Sequence, residues 1–293
     1  MNFKQSTTAA YIFLAPALSA IFIFFFLPVI AAFIISFTDF DIYTLADFNT
    51  IRFVGLKNYL ELFNDPLFFT ALKNTFYFVI MAGPLSIVVS LGAALLLNSK
   101  LVKYKAIFRL SYFIPVVTTL VAVAIVWRFI YHPRFGIINY ILSLIGIAPI
   151  DWLGEPSTAM PAIVLMSIWK NFGYNMIIFI AGLQNIPEDL YEAASIEGAN
   201  AWQKFKSITI PMLAPTTLFI SIITIIGYFQ LFAEPYIMTQ GGPLNSTLSI
   251  VQFMYQEGFR WWNMGYSASI AFVLFFIIMI GTLIQLRIQK GRE

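Results

Sequence analysis

The sequence predicts an all-α, polytopic membrane protein with six transmembrane helices in one domain over 1–293. Three observations carry that prediction. Of the 293 residues 60% are hydrophobic, 17% aromatic and only 11% charged, more apolar side chain than a soluble fold of this size can bury. The apolar residues fall in six runs, each long enough, at roughly 20 residues or more, to cross a hydrocarbon core. Most of the lysines and arginines lie outside these runs, in the connections and the termini.

The first run is 10–37. Lys4 precedes it as in a signal peptide, but the run is about twice the length of a signal h-region, which favours a retained helix. Pro28 is expected to kink it. In the connection 39–70, Leu56, Tyr59, Leu60 and Phe63 fall at i, i+3, i+4 and i+7. They read as a short amphipathic helix at the interface, ended by Asn64-Asp65-Pro66. Spans at 71–98 and 108–131 follow, joined by 99–109. After the loop 132–158 come the fourth span, 159–183, then the fifth, 211–236, and the sixth, 264–286.

Orientation follows from the cations. With a cytoplasmic N-terminus, Lys4, Lys100, Lys103, Lys105, Arg109, Lys204, Lys206, Arg287, Lys290 and Arg292 lie inside. Arg52, Lys57, Lys73, Arg134 and Arg260 lie outside. Ten against five predicts both termini in the cytoplasm. The net charge of +3 is spread over these loops and does not argue for nucleic acid. There is no cysteine, which excludes disulfides and thiolate metal sites.

The cytoplasmic connection 184–210 is the long polar interruption, and 188–211 reads EDLYEAASIEGANAWQKFKSITIP. Asn185 can cap a helix, Pro187 suits its first turn, and Glu188 and Asp189 complement the dipole. Leu190, Ala193, Ala194 and Glu197 recur at helical spacing, and Gly198 stops the run. Asn200 can cap a second short helix in which Trp202, Phe205 and Ile208 share a face, and Pro211 opens the next apolar segment. The result is a helix–turn–helix outside the membrane, shaped to dock; the plainer reading is a solvated loop.

Glu192-Ala193-Ala194, then Gly198, then Ile210-Pro211 resemble the EAA loop of ABC importer permeases. The fuller run 192–199 is similar to the carbohydrate-uptake branch, where Glu197 replaces the usual aspartate and keeps its charge. Gly55-Leu56-Lys57-Asn58-Tyr59 with Asp65-Pro66, and Thr239-Gln240-Gly241-Gly242-Pro243, also resemble sugar permeases. The resemblance implies a type I importer permease fold in the cytoplasmic (inner) membrane of a prokaryote. It makes Glu192, Ala193, Ala194, Glu197, Gly198 and Pro211 the residues coupling to an ATPase. It places Gly241, Gly242 and Pro243 near an extracytoplasmic solute-binding protein, against a reading as a plain turn. The partners implied are that binding protein, two ATPase subunits and a second permease chain different from this one. The solute implied is a carbohydrate: an oligosaccharide, glycoside, polyol or glycerol-phosphate type. No GxxxxGK[ST] occurs, so ATP and Mg belong to the partner ATPase, and no cofactor is expected in this chain.

Lys170, near the middle of the fourth span, is an intramembrane charge, and such a charge faces a cavity or a partner. Asn171 and Asn175 share a face, as do Lys170 and Tyr174, and such groups suit the hydroxyls of a polar solute. A helix–helix hydrogen-bond cluster is the competing reading. Tyr228, Gln230 and Glu234 extend the candidate path, or lie at headgroup level. His132 is expected at the interface near Arg134, with Trp261 and Trp262 as interfacial anchors. The absence of HExxH, GxSxG and paired intramembrane aspartates argues against a membrane-embedded enzyme. The alternative is an ion-gradient-driven secondary transporter, which dependence on a gradient rather than on ATP would reveal.

Overall fold

The computed structural model describes residues 3–45, 50–99 and 102–290. Lys100 and Arg292 of the orientation argument lie outside the described residues, as do the side chains of Lys4 and Lys290. The helices in order are α1 (Phe3–Ile21), α2 (Leu27–Ile35), α3 (Lys57–Leu62), α4 (Pro66–Asn98), α5 (Lys105–Val117), α6 (Leu120–Ile130), α7 (Ile137–Leu144) and α8 (Pro156–Gln184). They continue as α9 (Glu188–Ile196), α10 (Ala201–Lys204), α11 (Ile210–Met212), α12 (Ala214–Phe229), α13 (Ala233–Met238), α14 (Ile250–Tyr255) and α15 (Met264–Lys290). Among the described residues, extended pairing is confined to one antiparallel bridge, Thr38 with Phe53.

Among the described residues, four helices are long and apolar enough to cross a membrane: Ala9–Ile35, Pro66–Asn98, Pro156–Gln184 and Met264–Ile288. The other two predicted spans are bent pairs. Lys105–Val117 meets Leu120–Ile130 at 100°, and Ala201–Met212 meets Ala214–Phe229 at 63°. The expected continuous helix over 108–131 is therefore broken. Thr118 and Thr119 between the halves take extended dihedrals, so the carbonyls of the preceding turn lose their helical partners. Pro115, inside α5, was the one local hint. The fifth run also stops early, because α12 ends at Phe229 and α13 restarts at Ala233.

The chain divides into two compact units, Met1–Pro66 with Met254–Phe275, and Leu67–Phe253 with Phe276–Glu293. In the first, a π-helical turn over Phe22–Phe26 joins α1 to α2. Pro28 lacks an N–H and crowds the carbonyl four residues back, at Phe24, so the disturbance expected at Pro28 appears as this π turn one step upstream.

The short helix of this unit presents a different face from the expected one. Leu56, Leu60 and Phe63 are exposed, whereas Asn58 and Leu62 are buried. Asn58, 7% exposed, donates from Nδ2 to the carbonyls of Ser36 and Thr38, both at 2.9 Å. The Ser36 and Tyr59 hydroxyls pair at 2.8 Å, and Tyr266 donates to Asp65 at 3.0 Å. Two carbonyls past the end of α2 thus depend on one amide. Asn58→Leu should lower the stability of the detergent-solubilised protein by about 2 kcal/mol, the cost of leaving such groups unpaired. An unchanged thermal midpoint would remove that role.

In the second unit Ala94 and Leu97 of α4, Met176, Phe179, Ile180 and Leu183 of α8, and Leu213 and Ile220 beside and within α12 form one buried cluster. The loop 132–158 contains a helix the sequence reading did not expect, α7. Buried Asn139 pins it, donating to the Ile150 carbonyl at 2.8 Å and accepting from Ile150 N at 3.2 Å and Trp152 Nε1 at 3.1 Å. His132 stacks on Phe135 at 3.4 Å between centroids and accepts from the Arg134 N–H.

Candidate solute cavity and cytoplasmic hook

A cavity of about 530 Å³ opens in the second unit. One face of α8 supplies Asn171, Tyr174 and Asn175, and α12 supplies Ile223, Thr224, Gly227 and Tyr228. The turn after α12 adds Gln230 and Phe232, and α13 adds Ala233 and Glu234. Val116 and Leu120, on either side of the α5–α6 break, close the remaining wall.

Six of the seven candidate path residues meet here. Tyr228 and Gln230, two apart, could not share a helix face. They converge because the helix ends between them. Asn175 Nδ2 donates to Thr224 Oγ1 at 3.0 Å and Asn171 Nδ2 to the Ser167 carbonyl at 3.0 Å, which fixes both amides on the wall. Thr224 was missed in the sequence, although its i, i+4 spacing to Tyr228 in an apolar run was a usable signal. The wall from Val116 and Leu120 carried no signal, because it exists only where α5 and α6 part.

Lys170 is the correction. It does not line the cavity. Buried to 7% exposure, its ammonium donates to the carbonyls of Pro115 at 3.2 Å, Val116 at 3.3 Å and Thr118 at 3.2 Å. These are carbonyls orphaned by the break, so the cation caps the end of α5 as a helix C-terminus favours. One turn along, Gly173 lets α8 press against α5, since a Cβ there would lie 2.0 Å from the Tyr112 carbonyl oxygen. The charge expected on a solute is bound by backbone.

The second candidate region is the connection after α8. Asn185 does not cap α9; it ends α8, and Pro187 occupies the N-cap position with no side-chain cap. Glu188 and Asp189 stand in the first turn as expected. Gly198, at φ +79°, ends α9 in a left-handed turn. Its N–H reaches the Ser195 carbonyl at 3.1 Å, and the Ala199 N–H reaches Ala194 at 2.8 Å, the paired bonds of a Schellman stop. Asn200 then caps α10 reciprocally: Gln203 N–H donates to Asn200 Oδ1 at 2.9 Å, and Asn200 N–H to Gln203 Oε1 at 2.8 Å. Lys204 donates to Ser195 Oγ at 2.5 Å across the turn, and the Tyr191 and Thr209 hydroxyls pair at 2.8 Å.

Ala193, Ala194, Glu197 and Gly198 line the cleft between the two arms, and Glu192 is exposed. Ile196 and Trp202 are left uncovered, at 89% and 68% exposure. Pro211 stands in the first turn of the short helix α11. A π turn over Phe205–Thr209 carries the chain into α11, which contains Pro211, and the bend falls after Met212.

In the loop after α13, Gly241 has φ +87°. The Gly242 N–H bonds to the Thr239 carbonyl at 3.0 Å, and Thr247 Oγ1 donates to the Gly242 carbonyl at 2.8 Å. Asn74 Nδ2 holds the Asn245 and Leu248 carbonyls at 2.7 and 3.0 Å. Gly241, Gly242 and Pro243 thus form a tight turn, with Leu244 89% exposed beside them. Among the described residues no group of three or more histidines and acids converges to hold a metal.

Residues 86–293 match the family described as binding-protein-dependent transport system inner membrane component. Over 289 residues the chain is 39% identical to the arabinooligosaccharides transport system permease protein AraP of Bacillus subtilis (strain 168), covering 98% of this chain and 90% of that protein. It is 37% identical over 288 residues to the lactose transport system permease protein LacF of Rhizobium radiobacter, covering 97% and 94%. In fold it is similar to a chain of the bacterial alginate ABC transporter solved in complex with an alginate pentasaccharide-bound periplasmic protein, with a TM-score of 0.81, 21% identity, and coverage of 96% and 93%. The stretch 192–211, which carries the EAA resemblance, lies inside the matched region; the resemblance at 55–66 lies outside it. The chain belongs to the binding-protein-dependent transport system inner membrane component family, as a permease of the sugar ABC transporter kind.

Proposed function

We propose that this chain is one of two permease subunits of an importer that carries a carbohydrate across the cytoplasmic membrane by alternating access, driven by ATP hydrolysed with Mg in two partner ATPase chains. An extracytoplasmic binding protein delivers the solute beside the turn at Gly241, Gly242 and Pro243, and both termini lie in the cytoplasm. Asn171, Tyr174, Asn175, Tyr228, Gln230 and Glu234 form this subunit's part of the path. Glu192, Ala193, Ala194, Glu197, Gly198 and Pro211 belong to the arm through which ATPase closure moves the spans.

The observation that carries the reading is the construction of the hook. Its turn is stopped at Gly198 and restarted at Asn200 by local backbone and side-chain bonds. It therefore keeps its shape without a partner while leaving Ile196 and Trp202 uncovered. A solvated loop needs neither feature. A gradient-driven transporter is less favoured, because Lys170, the intramembrane charge it would have used for coupling, is engaged by three carbonyls.

The test is affinity purification of the chain from its native membrane, followed by reconstitution. Co-purification of an ATPase and a second six-span chain, with uptake of an arabino- or malto-oligosaccharide only when ATP and binding protein are supplied, is the expected result. A chain that purifies alone and transports without ATP would overturn it.

A further inference from the structure

We propose that α7 is an in-plane membrane anchor, its exposed apolar stripe seated among phospholipid acyl chains where α6 leaves the bilayer.

The helix is built inside out for a water-facing loop. Ile137, Tyr140, Ile141 and Leu144 fall at i, i+3, i+4 and i+7 on one face, and all four are 54–69% exposed. Asn139, on the other side, is buried, and its amide is spent on the Ile150 backbone and on Trp152 Nε1. The polar group is turned inward and the apolar ones outward, the arrangement of a segment solvated by hydrocarbon. From Phe135 to Ile150 there is no charged residue, and Arg134 and Asp151 flank the stretch. With eight residues the helix is about 12 Å long, too short to cross the bilayer and suited to lying in its interface. Tyr140, on the stripe, has the amphipathic ring that favours headgroup level.

Lipid, rather than a protein partner, fits this face on two grounds. The stripe continues the outward apolar side of the α6 span. Exposed Ile125 and Phe129 line one cavity with His132, exposed Phe135 stacks on His132, and Ile137 opens α7 two residues on. Close helix packing within a membrane also uses Gly, Ala, Ser or Thr at the contact, whereas the stripe is entirely Ile, Leu and Tyr. The anchor is tied to α8 through Trp152, which bonds Asn139 and packs on Tyr131 at 5.8 Å between centroids. Tyr131 in turn donates its hydroxyl to the Ala162 carbonyl at 2.8 Å. Immersion of α7 thereby fixes the depth at which this end of α8 stands in the bilayer.

The chain has no cysteine, so a single thiol reports each face. Ile141→Cys on the stripe, and Ser143→Cys, exposed off it, are nitroxide-labelled in the purified assembly, with any partner cysteines changed to serine. Each assembly is reconstituted in phosphatidylethanolamine–phosphatidylglycerol liposomes. Power-saturation spin resonance then compares collision with oxygen, which concentrates in hydrocarbon, and with nickel ethylenediaminediacetate, which stays in water. The oxygen-to-nickel collision ratio at Ile141→Cys should exceed that at Ser143→Cys by about threefold. Tyr140→Cys, on the same stripe, should match Ile141→Cys and stands in for it if that variant fails to assemble. A stripe ratio no higher than at Ser143→Cys would overturn the anchor in favour of a water-facing loop. Little collision with either reagent on the stripe would overturn it in favour of a protein partner over this face.

Discussion

Replacing Lys170 by methionine should lower the stability of the solubilised protein by about 3 kcal/mol, because three carbonyls lose their donor at roughly 1 kcal/mol each. That corresponds to a fall of about 5–10 °C in the unfolding midpoint of a chain this size. Methionine keeps the side-chain length and apolar stem, so packing is largely preserved and no buried charge is left unpaired. Arginine at the same position keeps the charge and its donors and should recover part of the loss. The measurement is thermal unfolding of wild type, Lys170→Met and Lys170→Arg in one detergent, followed by tryptophan fluorescence. If Lys170→Met unfolds with the wild type but fails in uptake, the ammonium serves a solute or a coupling ion instead. The capping role at the α5–α6 break would then be wrong.

Gly198→Pro should reduce ATP-driven uptake to background while membrane insertion and thermal stability stay near those of the wild type. At φ +79° the position is closed to proline, whose ring holds φ near −65°. The substitution also deletes the N–H that reaches the Ser195 carbonyl. The turn must then open, and Ile196 and Trp202 lose their relative placement. Alanine at 198 meets nothing within 4 Å and carries only the left-handed strain, about 1 kcal/mol. It should retain most of the uptake. The pair separates a shape requirement from mere crowding. Normal ATP-dependent uptake by Gly198→Pro would remove the hook from the coupling step, and equal loss in Gly198→Ala would show that the requirement is not backbone shape.

Much of this protein is legible in its sequence. Among the described residues four of the six apolar runs appear as unbroken helices and two as bent helix pairs, because in hydrocarbon backbone donors and acceptors must be satisfied within the protein. Composition and length alone therefore locate them. The hook was legible for a related reason: its stop at Gly198 and its box at Asn200 and Gln203 are bonds between residues at most five apart. Where the deciding partner lies far along the chain, the local reading failed. Lys170, which the sequence points toward a solute, is held by the carbonyls of Pro115, Val116 and Thr118, and Asn58 is buried on the carbonyls of Ser36 and Thr38.

The sequence by itself determined the class of fold, the number of apolar runs and the shape of the cytoplasmic hook, because each follows from local periodicity or short-range hydrogen bonding. Only the tertiary structure decided that the third run breaks at Thr118 and Thr119, that Lys170 answers carbonyls more than fifty residues earlier in the chain, and that Asn58 is buried while Leu56 and Leu60 are not. It also decided that Tyr228, Gln230 and Glu234 face one space with Asn171 and Asn175. A buried polar group takes whatever partner packing brings to it, and sequence spacing does not record which segments come together.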